Sequence, residues 1–242
     1  MHAVRAELRK LLTVRSTYII VIGSFLLNVG IIFWTSGYKT TADIGPTYLQ
    51  DTALSAVGGI GFFAGLIPIL LISHEYRHNL IFYTFTANRS RTSVFLAKLV
   101  VIVVYALLFM LLHLFGTLAA TAAGLQLGNH AMGTQAIDWW PLLWRGGFYT
   151  IAISLLGAIF AFIVRNQIGA FVTYLLYPGT VESLLGLVLK NKTMYMPYNS
   201  INNVIMTNPH GLSLHKTTLI ATLWLLFGLA VSWALFLRRD AN

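Results

Sequence analysis

The sequence predicts an all-α, polytopic membrane protein with six transmembrane helices, in a single transmembrane domain that covers residues 1–242. Hydrophobic residues make up 57% of the chain and charged residues only 10%, whereas a soluble domain carries about a quarter charged residues. Six stretches are apolar over roughly 20 residues, which is the length that a helix needs to cross the hydrocarbon core. Nearly all charged residues lie between these stretches, so little of the chain is left for a soluble domain.

Residues 1–16 are expected to form an amphipathic helix in the membrane interface. At helical spacing the apolar side chains of this segment share one face; they are Val4, Leu8, Leu11 and Leu12. The basic side chains lie elsewhere on the helix; they are Arg5, Arg9, Lys10 and Arg15. The alternative is a charged flank that only sets topology. The chain has a net charge of +9. We expect its basic residues to bind anionic lipid headgroups and not nucleic acid.

The six spans are predicted at residues 18–35, 52–73, 99–125, 142–164, 168–189 and 217–237. Gly61 and Gly65 in the second span form a Gly-x-x-x-Gly pair, which favours close helix contact within the subunit, with a dimer interface as the alternative. The fifth span is expected to be broken near Pro178-Gly179, either as two half-helices or as a re-entrant pair. Residues 74–98 and 190–216 remain as the two loops of appreciable length.

The basic residues predict that both termini face the cytoplasm. In that orientation eleven of the 16 lysines and arginines lie on the cytoplasmic side and five lie outside. Residues 74–98 then form a cytoplasmic loop and residues 190–216 an external one. The chain has no cysteine, which excludes disulfides and thiolate metal sites.

The sequence His74-Glu75-Tyr76-Arg77-His78 satisfies the H-E-x-x-H pattern. On a helix, His74 and His78 would share a face and bind one zinc ion, with Glu75 as the general base for a bound water. Such a site also needs a third ligand, for which the sequence offers no partner signature. We therefore expect no metal here, and an intramembrane zinc metallopeptidase is the alternative function.

Polar residues within the predicted spans are of interest, because unpaired polar groups are costly there and often functional. The candidates include Asn28, His113 and Glu182. Glu182 is the single acid within a predicted span and follows the expected helix break. Each of the three is a candidate for substrate contact, with hydrogen bonding inside the helix bundle as the alternative.

The same region that carries the histidines resembles the permease subunits of type-2 ABC exporters. The matching residues are Glu75 at the end of the second span, Ser90-Arg91 after a short amphipathic run, and Lys98 at the start of the third span. The segment Glu7-Leu8-Arg9-Lys10-Leu11 before the first span is also similar to the start of that family. Thr86-Ala87-Asn88 departs from the family pattern, which often has a proline before the Ser-Arg element.

The resemblance implies a permease subunit of an ATP-driven exporter in the bacterial inner membrane. Residues 75–91 would then be a coupling segment that docks into a separate ATPase subunit; its candidate contacts are Glu75, Arg77, Phe82, Phe85, Arg89 and Arg91. Two permeases, identical or similar, would form the passage between them. The chain has no P-loop, so ATP and Mg²⁺ are expected on the partner, with no cofactor on this chain. A sensor or immunity protein without transport activity is a further alternative.

Overall fold

The computed structural model of the chain describes residues 2–39, 44–77, 90–130, 137–206 and 212–238. Every regular element within these residues is a helix, which confirms the predicted fold class. The α-helices are α1 His2–Thr13, α2 Arg15–Gly37, α3 Tyr48–Arg77, α4 Arg91–Leu127, α5 Trp139–Val164, α6 Gln167–Leu176, α7 Ser183–Leu189, α8 Pro197–Ile205 and α9 Leu214–Arg238. A π-helix, Tyr177–Glu182, joins α6 to α7, and a 3₁₀-helix, Lys190–Tyr195, lies between α7 and α8.

Six helical segments in the described part of the chain are long and apolar enough to cross a bilayer. They are α2, α3, α4, α5, the continuous segment Gln167–Leu189, and α9. More than half of the residues in the apolar windows of α3, α4 and α5 are buried, whereas fewer than a quarter are buried in the other three. The bundle therefore has a three-helix centre, with α2 packed on α4 and α9 packed on α5 and α8.

The helices around the predicted coupling loop are longer than the hydropathy indicated. α3 continues to Arg77 and α4 begins at Arg91, so most of the expected loop at residues 74–98 that the structure describes is helical. The two helices have 30 and 37 residues, or about 45 and 55 Å of length, against a hydrocarbon core of about 30 Å. The apolar pattern marks only the part of each helix that lies in hydrocarbon, and it misses the polar turns beyond it.

Two glycines in α3 allow tyrosines from neighbouring helices to reach its backbone. A Cβ at Gly61 would overlap the ring of Tyr149, and a Cβ at Gly65 would overlap the hydroxyl end of Tyr174. The Tyr149 hydroxyl donates to the carbonyl of Gly58 at 3.0 Å, and the Tyr174 hydroxyl donates to the carbonyl of Phe62 at 3.1 Å. The Gly-x-x-x-Gly pair thus serves close contact within the subunit, as the sequence favoured.

α3 also contains a proline, Pro68, in its interior. Proline has no amide hydrogen, so the carbonyl four residues earlier, that of Ala64, loses its helical donor. The hydroxyl of Ser154 on α5 donates to this carbonyl at 3.1 Å, and both residues are fully buried. A side chain from a second span therefore replaces the hydrogen bond that the proline removes, as hydrocarbon requires.

The fifth span is irregular where the sequence places Pro178-Gly179, but the helix does not stop there. The chain adopts a π-helix over Tyr177–Glu182 and returns to α-helical geometry in α7. A π-helical turn accommodates the missing proline donor while keeping the rest of the backbone hydrogen-bonded. The predicted break is therefore a local widening within one helical segment.

Where α9 ends, two arginines bind its last carbonyls. Arg91 donates to the carbonyl of Leu237 and Arg165 to that of Leu235, each at 3.1 Å. The guanidinium of Arg165 also lies 5.1 Å from the ring centre of Tyr76. Cations at a helix C-terminus complement its partial negative charge, so these contacts fix α9 against α4 and α5.

We expect Ser154→Ala to destabilise the protein by about 1 kcal/mol, because the carbonyl of Ala64 would be left without a donor in the membrane. The free energy of unfolding, measured by denaturant titration in micelles, checks this. Thr150→Val is the matched control, since the Thr150 hydroxyl bonds only to the Gly146 carbonyl of its own helix. Equal losses for both variants would show that the proline contact contributes nothing.

Candidate functional site

Four charged side chains from three helices form one cluster where α3 ends and α4 begins. Lys98 Nζ on α4 lies 2.8 Å from Glu7 Oε2 on α1 and 2.7 Å from Glu75 Oε1 on α3. Lys10 Nζ on α1 lies 2.8 Å from Glu7 Oε1 and 2.6 Å from Glu75 Oε1. Each lysine therefore donates to both carboxylates, and the four formal charges cancel.

Three of the four side chains in the cluster are closed off from solvent. Lys98 is 1% exposed, Glu7 2% and Glu75 3%, and Lys10 is partly buried at the rim. Removing such charges from water costs several kcal/mol for each ion, which good pairing geometry must offset. Loss of one partner would leave an uncompensated buried charge. The cluster thus requires α1, α3 and α4 to keep their present arrangement.

Local sequence places each charge. Glu7 and Lys10 are three residues apart, so they project from neighbouring turns on one side of α1. Glu75 lies in the last turn of α3. Lys98 lies two turns into α4, whose first turn is capped by the Ser90 hydroxyl accepting from the amide of Ser93 at 3.4 Å.

The environment favours the charged form of Lys10. Burial alone would lower the pKa of this amine, but attraction to the carboxylates of Glu75 and Glu7 outweighs burial. The pKa of Lys10 therefore lies above its usual value of 10.5. The ammonium group remains charged at physiological pH, and the ion pairs persist.

The predicted coupling residues occupy different positions in the structure. Glu75 lies in the buried cluster, where its carboxylate binds lysines of α1 and α4. A residue that contacts a docked ATPase would lie on the surface, so the position of Glu75 differs from that of a direct docking contact. Arg91 is partly buried and binds the end of α9. Arg77 ends α3, and its side chain is outside the described part. The other candidates lie outside the described residues; they are Phe82, Phe85 and Arg89.

The zinc alternative finds little support in this geometry. Glu75, which would act as the general base, is bound by two ammonium groups. His74 is exposed, and His78 lies outside the described residues. Among the residues that the structure describes, no three His, Asp or Glu side chains come together to hold a metal ion.

Asn28 and His113 join α2 to α4. The Asn28 amide donates to the Thr117 hydroxyl at 2.7 Å. His113 Nδ1 donates to the Phe109 carbonyl at 2.9 Å, because a carbonyl can only accept. In the neutral ring, Nε2 then accepts from the Ser24 hydroxyl at 3.1 Å. Asn28 and His113 therefore form hydrogen bonds inside the helix bundle, which was the alternative to substrate contact for both residues.

Glu182 binds the start of α8. Its Oε1 accepts from the amide of Tyr198 at 2.7 Å and its Oε2 from the amide of Asn199 at 2.9 Å. Met196, the residue before α8, supplies no capping side chain. At the other end of α8, Arg145 donates to the carbonyls of Val204 and Ile205 at 2.7 and 2.6 Å.

An acid at the N-terminus and a base at the C-terminus both complement the dipole of α8. Glu182 and Arg145 come from two different spans, so together they hold this short helix on the bundle. Each carboxylate oxygen of Glu182 already has a partner. The structure therefore gives Glu182 the bundle role that we considered beside substrate contact.

Sequence reasoning identified Glu75, Lys98 and Glu7 as motif residues but did not predict that they pair. The three-residue spacing of Glu7 and Lys10, and a lysine beside an apolar run, were the available signals. The contact of Arg145 with α8 had no signal, since residues 145 and 204 are far apart in the sequence.

Two comparisons with known proteins bear on this arrangement. The sequence model of the family described as "ABC-2 family transporter protein" matches residues 3–179, which include all four residues of the charge cluster. A search of curated protein sequences found no match.

We expect Lys98→Met to lower the free energy of unfolding by about 3–5 kcal/mol, because two buried carboxylates would then share one lysine. The double variant Lys98→Met/Glu7→Gln restores neutrality and should lose less than Lys98→Met alone. Lys216→Met, at an exposed lysine, is the control and should change stability by less than about 0.5 kcal/mol. Additive losses in the double variant would contradict the pairing.

We expect Glu182→Gln to loosen α8, because glutamine has one acceptor oxygen where Glu182 uses two, one for each backbone amide. Hydrogen exchange over residues 197–205 should accelerate roughly 5- to 30-fold, which corresponds to about 1–2 kcal/mol. Asp138→Asn is the matched control, since Asp138 is exposed and accepts from a backbone amide at the start of α5. Unchanged protection of α8 in Glu182→Gln would rule out the capping role.

Proposed function

The chain belongs to the ABC-2 transporter family and is a multi-pass permease component of an ABC transporter. From this premise we propose that it is the permease subunit of an ATP-driven exporter. Separate ATPase subunits would bind ATP and Mg²⁺ and act on the segment between α3 and α4. A second permease subunit would complete the passage. The observation that carries the proposal is the charge cluster at the base of that segment.

The cluster supports coupling because of where it lies along the chain. Glu75 is two residues before the end of α3, and Lys98 is seven residues after the start of α4. A force on residues 78–89 would reach both helices together, since the ion pairs join them. Glu7 and Lys10 would bring α1 into the same movement. We propose that Glu75 acts in coupling through these ion pairs and not through direct contact with the ATPase.

The length of α3 and α4 supports transmission across the membrane. Each helix is continuous and longer than the hydrocarbon core. α3 also packs against α5 along the centre of the bundle. Tilting the inner ends of α3 and α4 would therefore displace their outer ends.

The outer half of α3 supports a passage between two permeases. Two cavities of about 640 and 800 Å³ lie on either side of it and share Asp51, Ser55 and Gly59 in their walls. These three residues are exposed in the single subunit. Polar side chains facing lipid are unfavourable, so this face is better suited to a partner subunit or to a hydrated path.

The proposed orientation places both termini and residues 78–89 in the cytoplasm. Eleven of the 16 basic residues then lie on the cytoplasmic side, in agreement with the positive-inside rule. The ATPase would reach its docking segment from that side.

We expect Arg77→Glu/Arg89→Glu to weaken binding of the ATPase subunit by about tenfold or more, because the change reverses two charges beside the proposed docking segment. The tagged full-length chain would be purified from its host membrane, and the co-purifying P-loop ATPase would be quantified by mass spectrometry. Lys190→Glu/Lys192→Glu makes the same charge change in the segment after α7 and should leave the yield of ATPase unchanged.

Failure of any P-loop ATPase to co-purify, or equal loss in both variants, would overturn the proposal. Because the chain has no cysteine, single cysteines can report the orientation in the same membranes. Ser90→Cys and Ser213→Cys are both at exposed positions. A membrane-impermeant maleimide should label Ser213→Cys in intact cells and Ser90→Cys only after permeabilisation.

A further inference from the structure

Glu7 is the single acidic residue of α1, and its carboxylate binds only lysines of the buried cluster. Both carboxylate oxygens of Glu7 are bound by lysines, and the residue is 2% exposed. Leu11 on the same face is also buried. The outward face of α1 therefore carries no negative charge, and its rotation about the helix axis is fixed by the cluster.

The outward face combines leucines and arginines in a defined order. At 3.6 residues per turn, Leu8, Leu12, Arg5 and Arg9 follow one another across about 100° of the helix. Leu8 is 39% exposed and Leu12 52%, and both arginines are exposed. Arg15, at the start of α2, is a third exposed cation nearby. The face thus has an apolar edge and a cationic edge.

The contact between α1 and α2 brings the last turn of α1 beside the start of a membrane span. The Tyr18 hydroxyl on α2 donates to the Leu12 carbonyl at 2.6 Å. Tyr18 and Ile19 are themselves exposed, at 48% and 71%, at the start of the apolar surface of α2. Leu12 therefore lies close to the apolar surface of a span, and a tyrosine at this boundary suits the membrane interface.

We infer that the outward face of α1, formed by Arg5, Leu8, Arg9 and Leu12, binds anionic phospholipids of the adjacent leaflet. The leucines would enter the boundary between headgroups and acyl chains, while the arginines would pair with phosphate groups. A water-soluble acidic protein would satisfy the arginines but would leave no reason for the exposed leucines beside a span. Lipid satisfies both edges, and this inference is independent of the proposed transport cycle.

The cluster gives this lipid site a consequence beyond anchoring. α1 carries two of the four clustered charges, and the same short helix presents the two arginines. Lipids that bind the outward face therefore stabilise the orientation of α1 in which Glu7 and Lys10 meet α3 and α4. The site links the lipid composition of the leaflet to the inner ends of two central spans.

The test compares phosphatidylglycerol with phosphatidylcholine on the purified full-length chain. Native mass spectrometry measures how much of each lipid remains bound at equal concentration. We expect the preference for phosphatidylglycerol to fall roughly 30-fold in Arg5→Gln/Arg9→Gln, the factor for about 1 kcal/mol from each of two basic residues. Lys190→Gln/Lys192→Gln, which removes two exposed cations elsewhere, should keep the preference.

A second measurement locates the lipid. A fluorophore on Leu12→Cys should be quenched more strongly by spin-labelled phosphatidylglycerol than by spin-labelled phosphatidylcholine, and the difference should vanish when Arg5 and Arg9 are also replaced. The inference is overturned if the lipid preference survives in Arg5→Gln/Arg9→Gln or falls equally in the control. It is also overturned if that variant loses a co-purifying ATPase but keeps the lipid, since the face would then belong to a protein partner.

Discussion

A polar group inside this bundle is stabilised by a partner within the protein, because hydrocarbon offers none. The cluster of Glu7, Lys10, Glu75 and Lys98 meets that demand with four ion pairs that use residues from three helices. No two of the three helices could satisfy it alone, since Lys98 bonds to both α1 and α3. The positions of α1 and of the inner ends of α3 and α4 depend on this one arrangement.

The same constraint explains the irregular parts of the structure. Pro68 removes a backbone donor from α3, and Ser154 on another span replaces it. The short outer helix α8 has Glu182 at one end and Arg145 at the other, each from a membrane span. Interruptions of regular helix are tolerated here because neighbouring helices satisfy the groups that they expose.

These contacts give the bundle two kinds of region. One end of the bundle is tied together by α8, while the other end gathers charges where α3 finishes and α4 begins. A permease that is driven by a separate ATPase subunit needs a site at which a local force moves several spans together. The proposed lipid contact of α1 lies on the opposite face of the same short helix, so membrane and motor would act on one assembly.

The sequence by itself determined the fold class, the six spans, the separate N-terminal helix and the irregular fifth span, because each depends on local composition and on the length of a hydrocarbon core. It also marked Glu75 and Lys98 through the resemblance to a permease family, and Asn28, His113 and Glu182 because polar residues are rare in apolar segments. Only the tertiary structure decided their partners. Lys98 lies 91 residues from Glu7, and Glu182 caps a helix beyond its own span. Such pairings follow from the packing of whole helices, on which local spacing carries no information.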